Sequence, residues 1–264
     1  MIGKVSVLPY HSIEFMKKHG LGLEVHLTHD DKASEFADHV QFIKSCHLPF
    51  GGINYAAIDD EVRTNSLEVT KATMEQAAGL GVTKVVLHPL GVWEENGVHV
   101  GEYDIFVASM RELVPVAERL KLEVCVENMV LRAPTTNVRY GCTVEEWWGI
   151  LDILNSPAFR LTLDTSHAAS NATHGATPEE RVKLLWHYLD RPELISHVHW
   201  SDAMMMDGTT KYQDMHLIPG KGDIPLDFHK AVLNLNATVV MEQHCSDEAC
   251  AEGLDFANIV MNGK

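Results

Sequence analysis

The chain lacks several features that mark specialised classes of protein. No apolar run approaches the roughly 18–20 residues that a membrane-spanning helix needs, and the first short apolar run ends at Pro9, before it could form the core of a signal peptide. The five cysteines form no Cys-x-x-Cys pair and are too few for a disulfide framework. We therefore expect a cytoplasmic protein with no membrane partner.

Basic residues are also scarce, with 21 Lys and Arg against 37 Asp and Glu and a net charge of −16. Such a chain does not attract polyanions as a whole, although a local basic patch can coexist with an acidic total. A glycine-rich loop is missing after the first apolar run, where Leu8-Pro9-Tyr10-His11-Ser12 stands instead. This absence argues against an open, doubly wound dinucleotide-binding sheet. Histidine is abundant by contrast, at 16 of 264 residues.

Short β-rich runs alternate with amphipathic stretches along the whole chain, without a linker or a low-complexity tract. Alternating β and α units predict an α/β fold, and eight units close a barrel more readily than they build an open sheet. We predict a single (β/α)₈ TIM barrel domain over residues 1–264. The predicted strands are Lys4–Leu8, Gly22–Leu27, Cys46–Phe50, Lys84–Pro89, Leu122–Glu127, Arg160–Asp164, Ile195–Ser201 and Thr238–Glu242.

Helix signals fall between these runs. Apolar residues recur at helical spacing over Asp60–Gly81 and Tyr103–Leu120. Thr143 followed by Glu146 forms a capping box, and Thr177-Pro178 places proline at the first helical position. These signals predict the start of two further helices.

Residue types that bind metals stand at or just beyond the ends of most predicted strands. In a barrel of this kind, functional residues lie at the carboxyl ends of the strands. Buried carboxylates there would repel one another unless divalent cations neutralised them. Imidazole and carboxylate together suit divalent cations such as Zn²⁺ or Mn²⁺. Residues of these types near the strand ends include Glu24, His26, His47, His88, Glu127, Asp164, His167, His199, Asp214, His216 and Glu242.

Two assignments, those of His47 and His197, depend on where each residue lies on its predicted strand. His47 is taken to open the third strand. His197 is interpreted as a structural residue on the opposite face of the seventh strand from His199.

Three segments carry a resemblance to the xylose isomerase-like barrel superfamily, which includes sugar isomerases and epimerases and the endonuclease IV family. They are Leu163-Asp164-Thr165-Ser166-His167-Ala168, His199-Trp200-Ser201-Asp202 and Pro219-Gly220-Lys221-Gly222-Asp223-Ile224. By resemblance to the sugar branch, Glu127, Asp164, His199 and Glu242 would hold one metal. Glu127 and Glu242 would then be the acid/base pair that moves a proton next to a metal-bound carbonyl.

The endonuclease IV branch uses three zinc ions and nine ligands, so the two branches together imply one to three ions. By this resemblance the nine candidate ligands are His47, His88, Glu127, Asp164, His167, His199, Asp214, His216 and Glu242. The signature around the strand-seven histidine departs from that branch, because its lysine is missing from Trp200-Ser201-Asp202-Ala203-Met204. Few cations stand near the strand ends to follow a DNA backbone. The candidates are Arg132, Arg139, Lys211 and Lys221.

We therefore expect a metal-dependent sugar isomerase or epimerase with a small sugar or sugar-derived substrate. The alternative is a zinc-dependent endonuclease of abasic DNA, under which alone nucleic acid is a partner; a dehydratase or lyase on the same barrel is less favoured. A homo-oligomer is compatible with either function. The predicted substrate-binding residues are Glu24, His88, Asn128, His167 and Lys221.

Overall fold

The computed structural model describes residues 2–5, 12–28, 36, 38–92, 94–95, 98–131, 138–211, 213–243 and 245–263. Strands recur through this part of the chain at the intervals that the β-rich runs predict. They are β1 (Ile2–Val5), β2 (Gly22–His26), β3 (Ile43–His47), β4 (Lys84–Leu87), β5 (Leu90–Val92), β6 (Glu94–Glu95), β7 (Val98–His99), β8 (Glu123–Glu127), β9 (Val138–Arg139), β10 (Phe159–Asp164), β11 (Ile195–Trp200) and β12 (Thr238–Met241).

Eight of these strands form a closed barrel in the order β1-β12-β11-β10-β8-β4-β3-β2. Neighbouring barrel strands are parallel, and β1 closes the barrel by pairing with both β2 and β12. The short strands β5 and β9 pair with each other in antiparallel fashion, as do β6 and β7. The predicted TIM barrel is confirmed, and all carboxyl ends of its strands open onto one mouth.

In the described residues, helices follow every barrel strand except β2, and they cover the outside of the barrel. Their apolar faces bury a continuous core against the strands. The helices are α1 (Ile13–His19), α2 (Asp60–Gly79), α3 (Tyr103–Leu120), α4 (Val144–Leu154), α5 (Thr165–Ala172), α6 (Pro178–His187), α7 (Leu226–Leu233) and α8 (Asp247–Asn262), with 3₁₀ turns at Val40–Phe42 and Pro192–Leu194.

The predicted helix starts are confirmed. The side chain of Thr143 accepts the Glu146 N–H at the start of α4, and Thr177 accepts the Glu180 N–H at the start of α6. Both contacts satisfy a backbone donor that the first helical turn leaves unpaired. The helix predicted over Asp60–Gly81 ends two residues earlier, at Gly79.

The third strand differs from its prediction. It spans Ile43–His47 rather than Cys46–Phe50, so His47 ends the strand instead of opening it. Polar Lys44 and Ser45 hid the start of the strand, since an apolar run was taken as its signal. The shift moves His47 to the mouth of the barrel. The first strand also begins earlier than predicted, at Ile2, and residues 6–8 of that prediction lie outside the described residues.

None of the helices in the described segments combines the length and the apolar character that crossing a bilayer requires.

Two glycines give a matched test of packing. A Cβ on Gly222 would lie 2.3 Å from Asp202 Oδ1 and 2.4 Å from the Ala203 carbonyl oxygen, whereas one on Gly149, inside α4, meets nothing within 4 Å. Gly222→Ala is therefore expected to lower the free energy of unfolding by about 1–3 kcal/mol, the usual cost of overpacking. Gly149→Ala should raise it by roughly 0.5–1 kcal/mol, because alanine loses less backbone entropy in a helix. Urea unfolding measures both, and a neutral Gly222→Ala would contradict the packing described.

Candidate metal centre

All nine candidate ligands lie at the mouth of the barrel. Each is at the carboxyl end of a barrel strand or in the loop or helix that follows such an end. Glu127 ends β8, Asp164 ends β10, and His199 is the last residue but one of β11. Parallel strands bring these ends to one rim, although the residues are far apart in sequence.

The first group contains Glu127, Asp164, His199 and Glu242, whose ligand atoms lie within 4.8 Å of one another. His199 Nδ1 stands at its centre. This atom lies 2.5 Å from Glu242, 3.3 Å from Glu127 and 3.8 Å from Asp164. The group offers one imidazole nitrogen and three carboxylates, which is a donor set for a divalent cation such as Zn²⁺ or Mn²⁺.

A second group shares Glu127 and adds the two histidines that end or follow β3 and β4. His88 Nε2 lies 3.1 Å and His47 Nε2 3.6 Å from Glu127 Oε2, and the two nitrogens are 3.1 Å apart. Phe50 stacks on His88 with ring centroids 5.2 Å apart and meets His47 edge-on at 5.7 Å. The apolar ring therefore packs against both imidazoles.

A third group shares Asp164 and adds His167 and His216, again with ligand atoms within 4.8 Å. Asp214 bridges the two histidines, at 3.3 Å from His167 Nε2 and 2.5 Å from His216 Nε2. Asn128 holds the other side of the His167 ring through its backbone oxygen, 2.7 Å from Nδ1. The three groups thus form one continuous set that shares Glu127 and Asp164.

The carboxylates of this set are under electrostatic stress. Both oxygens of Glu127 and Oδ2 of Asp164 are fully buried and accept no hydrogen bond. Burial raises the pKa of Asp164 to about 7, against the attraction of His167 and His216. Burial would also raise the pKa of Glu127, but His199 and His88 outweigh it and hold that pKa well below its usual range. Buried acceptors without donors favour a bound cation, so the residues present fit a metal.

The histidines of the third group respond to the same negative charge. Burial opposes protonation of His167, but Asp164 and Asp214 outweigh it and raise its pKa to about 10. In His216, Glu242 and Asp164 outweigh burial and raise the pKa to about 9. Because imidazole binds a metal only in its unprotonated form, a cation that enters this group must displace protons.

The family assignment rests on a match over almost the whole chain. The model of the xylose isomerase-like TIM barrel family matches residues 4–258. The chain belongs to this family. Among sequence relatives, a protein of Methanocaldococcus jannaschii is 29% identical over 179 residues, a match that covers 67% of this chain and 55% of that protein. This chain thus spans about half the length of that relative.

Several solved structures share the fold at low sequence identity. A D-tagatose 3-epimerase-like protein is 20% identical, with a TM-score of 0.74 over 99% of this chain and 97% of its own. Endonuclease IV from Thermus thermophilus is 17% identical, with a TM-score of 0.68 over 100% and 99% of the two chains. A structure of IolI with a bound zinc atom is 20% identical, with a TM-score of 0.67 over 99% and 98%.

The xylose isomerase-like barrel of this chain holds its third group in place with a serine that the sequence analysis missed. Ser166 Oγ accepts the backbone N–H groups of Met215 and His216, at 3.2 and 3.1 Å. His216 has a φ of 41°, a left-handed conformation that is costly for a residue with a side chain. The serine thus docks the loop of Asp214 and His216 against α5. Its place beside His167 in the Asp-Thr-Ser-His segment was the available signal.

The predicted substrate-binding residues divide into two sets. His88 and His167 lie within the ligand groups described above. Asn128 uses its side chain to donate to the Asp164 carbonyl, at 3.0 Å, and to accept the Asp164 N–H, at 2.7 Å. Lys221 is exposed and pairs with Glu252 at 2.7 Å. Glu24 is fully buried inside the barrel. The contacts of Asn128, Lys221 and Glu24 favour supporting roles, and substrate binding by them stays a prediction.

The predicted placement of His197 on the opposite face of its strand from His199 is wrong. Residues two apart on a strand point to the same side, so His197 and His199 both face the barrel interior. Their Nε2 atoms lie 2.8 and 2.9 Å from the two oxygens of Glu24. Arg132, one of the cations considered for DNA contact, lies outside the described residues.

Proposed function

We propose that this chain is a divalent-metal-dependent isomerase or epimerase of a small, neutral sugar or related hydroxyketone. Glu127 and Glu242 form the acid/base pair, and the group that contains them with Asp164 and His199 holds the metal. One observation carries the proposal: the carboxylates of Glu127 and Glu242 lie 3.3 and 2.5 Å from His199 Nδ1. A substrate bound at that centre would have both carboxylates within reach.

The two glutamates differ in ways that suit a proton shuttle. Glu127 is fully buried, and the low pKa that His199 and His88 give it keeps it ionised, the form that can bind a cation and accept a proton. Glu242 is partly exposed, at 15% of its side chain, so it faces the side from which a substrate enters. A divalent cation held between them would polarise the substrate carbonyl and acidify the neighbouring carbon-bound hydrogen.

A small neutral substrate is supported by the charges around the mouth. Phosphate groups are bound in proteins chiefly by lysine and arginine. Lys221 is engaged by Glu252, and Lys211 lies near His174, whose pKa is lowered first by burial and then by that lysine. The net charge of −16 adds no attraction for a polyanion.

Hydrolysis of abasic-site DNA is the second candidate, because one observation favours it. The three ligand groups are contiguous and share Glu127 and Asp164, which is an arrangement for several cations around one reacting phosphate. The similarity to endonuclease IV agrees with this candidate at the level of the fold.

One experiment separates the two candidates. Protein loaded with Mn²⁺ or Zn²⁺ is incubated in D₂O with a panel of neutral ketoses, and in parallel with a duplex that contains one abasic site. We expect deuterium to enter the carbon next to the carbonyl of at least one ketose, while the duplex stays intact. The opposite result would favour the hydrolase over the isomerase: the duplex is nicked, nicking falls steeply as salt rises, and no ketose takes up deuterium.

A further inference from the structure

We propose that Glu24 is a positioning residue that aims His199 Nδ1 at the bound metal, a role that rests on the metal centre of the proposed function. Glu24 Oε1 lies 2.9 Å from His199 Nε2, while Nδ1 on the far side of the same ring lies 2.5 Å from Glu242. The imidazole therefore links the buried carboxylate of Glu24 to the ligand group. Glu24 stands on β2 and His199 on β11, which are not neighbours in the barrel.

Glu24 is itself fixed from two other directions. Ser45 Oγ donates to Glu24 Oε2 at 2.7 Å, and His197 Nε2 lies 2.8 Å from the same oxygen. Ser45 is paired with Glu24 in the register of β2 and β3, so the sheet itself supports the contact. Glu24, Ser45, His197 and His199 are all fully buried. Solvent at the mouth therefore does not reach Glu24.

The bond between Glu24 and His199 decides which nitrogen of the imidazole ring carries the proton. A neutral histidine has one N–H donor and one acceptor nitrogen, and an ionised carboxylate only accepts. Glu24 therefore requires the proton on Nε2, so Nδ1, which faces the ligand group, is the nitrogen that carries the lone pair for the metal. A carboxylate partner also makes the ring a better ligand, and loss of such a partner lowers metal affinity by roughly 10–100-fold in known sites. The ring cannot rotate without breaking the bond.

The first test is zinc affinity, measured by competition with a chromophoric chelator. Glu24→Gln keeps the shape of the side chain but removes its charge, and we expect affinity to fall by about 10–100-fold. Ser45→Ala is the matched control, because it removes another contact of the same carboxylate and leaves the bond to His199. Its affinity should stay within about threefold of the parent. Unchanged affinity in Glu24→Gln, or an equal loss in Ser45→Ala, overturns the proposal.

The second test needs no variant at position 24. In zinc-loaded protein with ¹⁵N-labelled histidine, the His199 signals are assigned by their loss in His199→Asn. We expect the proton on Nε2 and the metal on Nδ1; a proton on Nδ1 overturns the proposal even if Glu24→Gln fails to fold. Neither readout uses turnover, so an absence of isomerase activity would count against the proposed function and leave the role of Glu24 standing.

Discussion

Glu127→Gln is expected to slow solvent proton exchange into the substrate by roughly 10²–10⁴-fold, the usual contribution of a general acid or base. Glutamine keeps an oxygen that can still face the metal, but it cannot accept the proton. Glu242→Gln should have an effect of similar size, because each glutamate would serve one face of the reacting carbon. The measurement is deuterium incorporation by mass spectrometry, with metal content determined for every variant so that loss of the metal is separated from loss of the base.

Glu123→Gln is the matched control for this prediction. Glu123 begins the same strand that Glu127 ends, at the opposite end of the barrel, where it accepts from Ser196 at 2.7 Å and pairs with Lys84 at 3.1 Å. Its replacement can lower stability but should leave exchange unchanged. Full exchange in both Glu127→Gln and Glu242→Gln would remove the two residues from the proposed chemistry.

Metal removal is expected to have the second large effect. A ligand that binds only the folded state stabilises it by about 4 kcal/mol when present at 1,000 times its dissociation constant. We expect zinc or manganese to raise the free energy of unfolding of the chelator-treated protein by about this amount, as measured by urea unfolding. Unfolding curves that superimpose with and without metal would contradict a site built from the buried carboxylates.

Asp164→Asn tests whether the negative charge of Asp164 is needed for the stabilisation by metal. Asp164 is also the N-cap of α5, where its side chain accepts the His167 N–H at 2.8 Å, and asparagine caps helices as well as aspartate does. Burial already disfavours the charged form of Asp164, as its pKa of about 7 shows, so the metal-free variant should lose little stability. In this variant, metal should raise the free energy of unfolding by much less than in the parent, or not at all. Asp164→Ala, which also removes the cap, should lose roughly 1 kcal/mol more.

Metal stoichiometry by elemental analysis belongs with this measurement. One exchangeable ion per chain agrees with the group of Glu127, Asp164, His199 and Glu242 as the working site. Three zinc ions per chain would fill all three contiguous groups and would favour the hydrolase.

The fold and the gathering of the nine side chains could be predicted because both follow from local patterns. A β-rich run gives the position of a strand, and the barrel then sends every strand end to the same rim. Glu127 and Asp164 are the last residues of their strands, as predicted. The third strand was misplaced, since its buried polar Ser45 interrupts the apolar run that was used as the signal.

The side chains that hold the candidate ligands in place could not be predicted, because their contacts join distant parts of the chain. Glu24 and His199 are 175 residues apart, and only the diameter and stagger of the closed barrel decide that they meet. Ser166 holds the His216 loop across 50 residues in the same way. Substrate identity depends on such contacts too, so the labelling experiment with ketoses is needed to establish it.

The closure of the barrel also sets when the metal centre can exist during synthesis. β12, the strand directly before Glu242, pairs with β1, and β1 in turn pairs with β2. A growing chain that has emerged only as far as α7 already carries eight of the nine candidate ligands, but it has neither Glu242 nor a closed ring of strands. The group of Glu127, Asp164, His199 and Glu242 can therefore form only after β12 has paired with β1, and a nascent chain that reaches only α7 should leave that group without metal.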